Sequence, residues 1–274
     1  MIGLINEGIT ALPGLDLQTL FEDLSQFFFA SLRIGSFLIA SPFFGSKMVI
    51  LPVRILTAVV LTITVVSLNP YLPEVEVISS VHGITIAASE IAIGISAGLV
   101  LSILFAGASL AGEKIASSSG LAMATAADPI SGSSSPVMAQ ILTLFLLITF
   151  MSFDGHLAAF RTIIESYHFI PIGTFPNGEG ILKSGISSAG IMFKVAAIIM
   201  LPIAIILLLV NVAIGVITRS APTLNIFSFA FPVTMMAVFF LVYVTLSLIG
   251  VSLATLAGDA VIYMQNTLEN MKNG

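Results

Sequence analysis

The stretch VAAIIMLPIAIILLLVNVAIGVIT, Val195–Thr218, carries no formal charge over 24 residues. As helix it would be roughly 36 Å long at 1.5 Å per residue, enough to cross a ~30 Å hydrocarbon core. A buried helix of a soluble domain could read the same way, so the rest of the composition has to decide. Of 274 residues, 57% are hydrophobic and 8% charged, against roughly a quarter charged in an ordinary soluble domain. So few charges cannot cover a water-facing surface. Most of the chain must lie against lipid or other protein.

Outward from this stretch, further charge-free runs occupy Ile55–Pro73, Ile91–Gly112, Pro129–Phe153 and Ser220–Gly258, and Leu24–Ser46 is interrupted only by Arg33. Strands of a membrane barrel would alternate over ~10 residues, and none of these runs does. The pattern predicts an all-α polytopic membrane protein with about six long apolar helices. Early acidic residues without Lys or Arg, then Lys47 and Arg54 about the first turn and Glu74 and Glu76 in the second, predict an outside N-terminus and an inside first loop. The N-terminus has no basic region of the kind that starts a cleavable signal.

Proline divides the runs. Pro42 and Pro52 frame a connection, Pro70 and Pro73 close the second segment, and Pro129, Pro171, Pro176 and Pro222 mark later breaks. Pro202 and Pro232 fall inside apolar runs, where a membrane helix more often kinks than ends. Ser220–Gly258 is too long for one span. It breaks near Pro232, folds back as a re-entrant hairpin, or has its excess covered by protein. Gly94-x-x-x-Gly98 predicts close helix packing within the chain.

Ala106–Ser135 has an unusual composition: 20 of its 30 residues are Gly, Ala or Ser. Such a segment makes few dispersion contacts and has no core of its own. It is either a displaceable loop in a narrow protein-lined space, a plug, or an ordinary connection. Asp128-Pro129 with Gly132 predicts the turn that ends it.

Chemistry is poorly represented. Cysteine is absent, which excludes disulfides and thiolate sites. His82, His156 and His168 are too scattered for a metal, and a net charge of −5 gives nucleic acid no surface. Asp154-Gly155-His156, with Arg161 and Glu165 beyond it, reads as a cap and polar cluster, since no nucleophile elbow, zinc helix or phosphate loop accompanies it. No cofactor and no enzymatic activity are expected. Charges inside apolar segments are costly and need partners. Arg54 and Arg219, near segment ends, are expected to reach the interface; Arg33 and Glu90 lie deeper and either pair with each other or draw counter-charges from another subunit. Besides a subunit of a shared pore, a stand-alone secondary transporter or a membrane-embedded enzyme could carry such helices, although no internal repeat or clustered acid–base set is present.

In order, Arg33, Pro42…Pro52-x-Arg54, Gly112 and Gly120-Leu121, Asp128-Pro129-x-x-Gly132, Asp154-Gly155-His156, Ser166 ahead of Pro171-x-Gly173, Arg219-x-x-Pro222-x-x-Asn225-Ile226-Phe227 and Phe231-Pro232 resemble the FliR family of flagellar type III export-gate proteins, homologous to counterparts in virulence injectisomes. The likeness covers residues from about 25 to 260. The chain departs from the family at Ile115–Ser119, where a Gln and a second Gly are usual, and at Val233–Ala237, where a Lys and then a Gly follow.

The resemblance implies a non-enzymatic subunit that joins FliP and FliQ in a closed helical assembly, beside FlhB and FlhA, in the bacterial inner membrane of the flagellar basal body. Unfolded flagellar proteins would pass through it, driven by a separate ATPase and the proton motive force. It further implies that residues 24–175 imitate a FliP subunit and 176–274 a FliQ-like hairpin. The loop around Ser109–Thr125, with Gly112, Ile115, Ser117, Ser118, Ser119, Gly120, Leu121 and Met123, would plug the pore. Partners would also lift much of the chain out of the lipid, accounting for helices longer than a bilayer.

Overall fold

The computed structural model describes residues 17–45, 49–68, 81–119, 136–220 and 226–272. Their regular structure is entirely helical: α1 Leu17–Ala40, α2 Leu51–Leu68, α3 Val81–Ser118, α4 Val137–Ser152, α5 Gly155–Phe169, α6 Gly178–Ser220, α7 Ile226–Val244 and α8 Leu246–Lys272. The protein is thus an all-α membrane protein. Among the described residues three helices (α3, α6 and α8) are long and apolar enough to span a bilayer, four if α4 and α5 count as one bent span; α2 and α7 hold shorter apolar stretches. Among the residues named above, Lys47, Pro70, Pro73, Glu74, Glu76, Gly120, Leu121, Met123, Asp128, Pro129, Gly132, Pro222 and Asn225 lie outside the described set.

Packing divides the chain into two compact units, one of residues 1–99, 161–181 and 267–274, the other of residues 100–160 and 182–266. In the first, α1 buries Ala30, Ile34, Phe37 and Leu38, a stripe at helical spacing that also includes fully buried Arg33. On α3 the buried series Ile86, Glu90, Ile93 and Ala97 does the same. The two helices meet at the predicted glycines. A Cβ on Gly94 would strike the Arg33 carbonyl and Ser36 Oγ, and one on Gly98 would lie 2.6 Å from Ala40 Cβ and 2.8 Å from the Phe37 carbonyl oxygen. Only a hydrogen lets the backbones approach this closely.

In the second unit α3 carries Leu104, Ala108, Ala111 and Ile115 into the core, and Gly112 lies against the backbone of Ala139 and Met138 on α4. Phe105 and Phe150 meet edge to face at 5.3 Å. The α4–α5 bend is 68°. Asp154 makes it with a left-handed φ of 54°, a conformation an Asp tolerates better than most residues, and its carbonyl accepts the Ala158 N–H to start α5. Gly155 sits against the Phe150 ring, 2.5 Å from where a Cβ would be.

One sequence expectation needs correction. The small-residue loop begins later than its composition suggested, because α3 continues to Ser118. Alanine is the best helix former and Glu113 and Lys114 are good ones, while Ser117 and Ser118 satisfy their hydroxyls on the Lys114 carbonyl of their own helix. Pro232 stays within α7, in keeping with the preference of a membrane helix to kink rather than end at proline, and the described part of the last apolar run is interrupted at Thr245. There Oγ1 donates to the Leu241 carbonyl at 2.8 Å, a back-bond that disturbs helices. At the start of α2, Arg54 donates from Nε to the Val49 carbonyl of the preceding connection at 3.1 Å.

Candidate functional site

The most closely determined polar constellation is built around Arg33. Its Nε donates to Glu90 Oε2 at 2.7 Å and its Nη2 to Glu90 Oε1 at 3.1 Å, with both side chains wholly buried. The paired donors match the geometry that makes arginine–carboxylate contacts strong and directional. The remaining guanidinium edge is also occupied: Nη1 donates to Ser166 Oγ at 3.0 Å and Nη2 to the Ile170 carbonyl at 2.9 Å. The Tyr167 ring lies 4.1 Å from Cζ, and its hydroxyl donates to the Ala30 carbonyl at 2.8 Å. The mutual ion pair is therefore the alternative that the fold adopts.

The Pro171-x-Gly173 motif completes this knot. The Thr174 amide donates to the Pro171 carbonyl at 3.1 Å, closing a four-residue turn. Its third residue, Gly173, has φ +93°, the position where a type II turn calls for glycine. The turn brings the Gly173 amide to the Glu90 carboxylate. Motif residues up to 140 positions apart in sequence thus converge on one buried ion pair. The Arg33 donors have protein partners and the pair has no access to solvent, so the arrangement fixes α1, α3, α5 and the following turn to one another rather than offering a reactive group.

A second constellation lies at the end of α3, within the second unit. The last carbonyls of a helix have no partner in their own ladder. Here Asn211 Nδ2 on α6 donates to the Ser118 carbonyl, and Thr234 Oγ1 on α7 to the Ser119 carbonyl, each at 3.2 Å. Of the expected plug residues, Gly112, Ile115, Ser117 and Ser118 belong to this helix and Ser119 ends it. Asn211 and Thr234 were not singled out in the sequence, although an amide inside a charge-free run is itself a signal.

The other motif residues are spread over the chain. Pro42 begins a short turn closed by the Gly45 amide on the Ser41 carbonyl, and Pro52 is the second residue of α2, near the helix start that proline favours. Arg219 is exposed in the last turn of α6, where a cation complements the helix dipole. Phe231 and Pro232 face outward on α7. His156 Nδ1 is buried without a hydrogen-bond partner among the described residues.

Residues 24–259 match the family described as "Bacterial export proteins, family 1". The chain belongs to this family of bacterial export proteins. Its relatives include the flagellar biosynthetic protein FliR of Pectobacterium carotovorum subsp. carotovorum, 34% identical over 77% of this chain and 80% of the relative. FliR of Escherichia coli K12 is 31% identical over the same shares, and FliR of Bacillus subtilis 168 is 27% identical over 88% of this chain and 94% of its own. These three relatives are each named a flagellar biosynthetic protein. The match spans both the Arg33 knot and the end of α3.

Proposed function

We propose that this protein is a non-enzymatic subunit of the flagellar type III export gate in the bacterial inner membrane, within the basal body. With FliP-like and FliQ-like subunits it forms the pore through which unfolded flagellar proteins cross, beside FlhB and FlhA. Residues 24–175 take the place of a FliP-like subunit and 176–274 that of a FliQ-like hairpin.

The observation that carries this reading is α6. Its 43 residues span roughly 64 Å as helix, twice a ~30 Å hydrocarbon core. Only 22% of its most apolar window is buried within the chain, against 61% for α3. Lipid cannot cover such a helix end to end, and water will not solvate exposed Leu182, Ile186 and Phe193 beside Leu201, Leu208 and Val216. Neighbouring apolar subunits would cover the excess. The resemblance implies a plug over about Ser109–Thr125; since α3 runs to Ser118, the proposal keeps for the plug the part that follows it, with Gly120, Leu121 and Met123.

Affinity purification from mild detergent tests the assembly: two further small membrane proteins should accompany the chain, and recovery of the chain alone would sink the reading. The plug is tested by deleting residues 120–127 and measuring ion leakage across the membrane. The deletion begins there because Gly112 packs on α4, and Ile115 and Ala116 are buried. An assembled complex that stays tight to ions would remove the plug from the proposal.

A further inference from the structure

Lys194 and Asp259 are left over by the proposed function. Each is the charged residue at which an apolar run ends, Val195–Thr218 on α6 and the uncharged stretch through Gly258 on α8. Both line one groove of about 260 Å³ between these helices, in the second unit. Among the described residues neither takes part in an ion pair, with the other or with any third group. The groove continues along Val195, Ile198 and Val251, with the hydroxyl-bearing Ser252, Thr255 and Tyr263 on its α8 side. Tyrosine is enriched where hydrocarbon meets headgroups, and the ends of both apolar runs mark the same level.

We infer that this groove binds a phospholipid with a primary-amine headgroup, phosphatidylethanolamine. Lys194 donates to the phosphate, Asp259 accepts from the ammonium, and an acyl chain lies along Val195, Ile198 and Val251. Lys194 is exposed and Asp259 half-buried, and a cation and an anion left unpaired on a groove lined half by apolar side chains call for a ligand that carries both signs close together on an apolar body. A free phosphate or an anionic glycerol headgroup offers only the negative charge and leaves Asp259 unmatched. A choline headgroup has the positive charge but no N–H to donate. The inference rests on the membrane location of α6 and α8 and requires that this stretch of α6 face lipid rather than a neighbouring subunit, which the cross-linking below decides.

The full chain, in phosphatidylcholine vesicles containing a trace of diazirine-labelled phosphatidylethanolamine, should be labelled on illumination within residues 191–198 and 251–263. Unlabelled phosphatidylethanolamine should compete about tenfold better than phosphatidylglycerol, the worth of one charge-assisted hydrogen bond. Asp259→Asn should erase that preference, Lys194→Gln should lower labelling by either lipid, and Lys194→Arg should keep it, a control for folding. Equal competition by the two lipids in the wild type, labelling spread evenly over the outward apolar faces, or a preference unchanged in Asp259→Asn would each overturn the assignment. So would efficient cross-linking of Ile198→Cys or Val251→Cys to another membrane subunit in intact cells, which would make the groove a protein interface.

Discussion

Arg33–Glu90 and Arg161–Glu165 are the same chemical pair with the same 2.7 Å separation between Nε and a carboxylate oxygen. The first is wholly buried, while the side chains of the second are 80% and 52% exposed. The exposed pair joins neighbouring turns of α5 at i,i+4 and has water as an alternative partner on every side, so it contributes little. The buried pair joins three helices and a turn, and neither member has any partner other than those the fold supplies. Burial removes that alternative. It does not make the pair a net source of stability, because desolvating both ions costs about as much as their attraction returns. What the burial does is make the arrangement exclusive: any other packing of α1 on α3 strands a charge in an apolar interior.

The largest expected effect comes from breaking one side of the buried pair. Arg33→Ala or Glu90→Ala should cost about 3–5 kcal/mol, read as loss of folded protein in the membrane and a large fall in its thermal midpoint in detergent. The double replacement Arg33→Met with Glu90→Leu should recover much of that loss, since no uncompensated charge remains; a double variant as poor as the singles would refute the view that a stranded charge is the damage. Next, Gly94→Val should destabilise by about 1–3 kcal/mol through overpacking against the Arg33 backbone, and the same change at Gly185, where nothing lies within 4 Å, should not. Gly173→Ala should cost about 1–2 kcal/mol for a side chain at positive φ, with the loss smaller in a Glu90→Gln background if the turn acts through its amide on the carboxylate. Smallest of all, Arg161→Ala should leave the thermal midpoint unchanged. A fall comparable to that of Arg33→Ala would show that ion-pair geometry, rather than burial, governs these contacts.

Much of the knot was legible residue by residue, and its connectivity was not. The 3.6-residue period places Arg33 among Ala30, Ile34 and Phe37, and Glu90 between Ile86 and Ile93, so both charges are marked as inward-facing by their neighbours. Pro171-x-Gly173 reads as a turn for equally local reasons. That Arg33 takes Glu90, and that Ser166, Tyr167 and the Ile170 carbonyl close around it, depends on contacts 57 to 137 residues apart. No local period reports on them. The start of the small-residue loop differs in the opposite sense: composition emphasised the missing contacts, while the backbone preference of alanine carried α3 on to Ser118.

By itself the sequence determined that this is an all-α membrane protein, that two deep charges require partners inside it, and, through the order of its motifs, which family it resembles. These follow from solvent and local geometry. Hydrocarbon cannot satisfy a backbone carbonyl or solvate a charge, so apolar length and isolated ionisable residues have few interpretations. Only the tertiary structure decided which charges meet, that the last apolar run is interrupted at Thr245, and that Asn211 and Thr234 hold the end of α3. Those outcomes depend on which surfaces come together across long chain separations, where several near-equal local choices compete and the packing of the whole selects one.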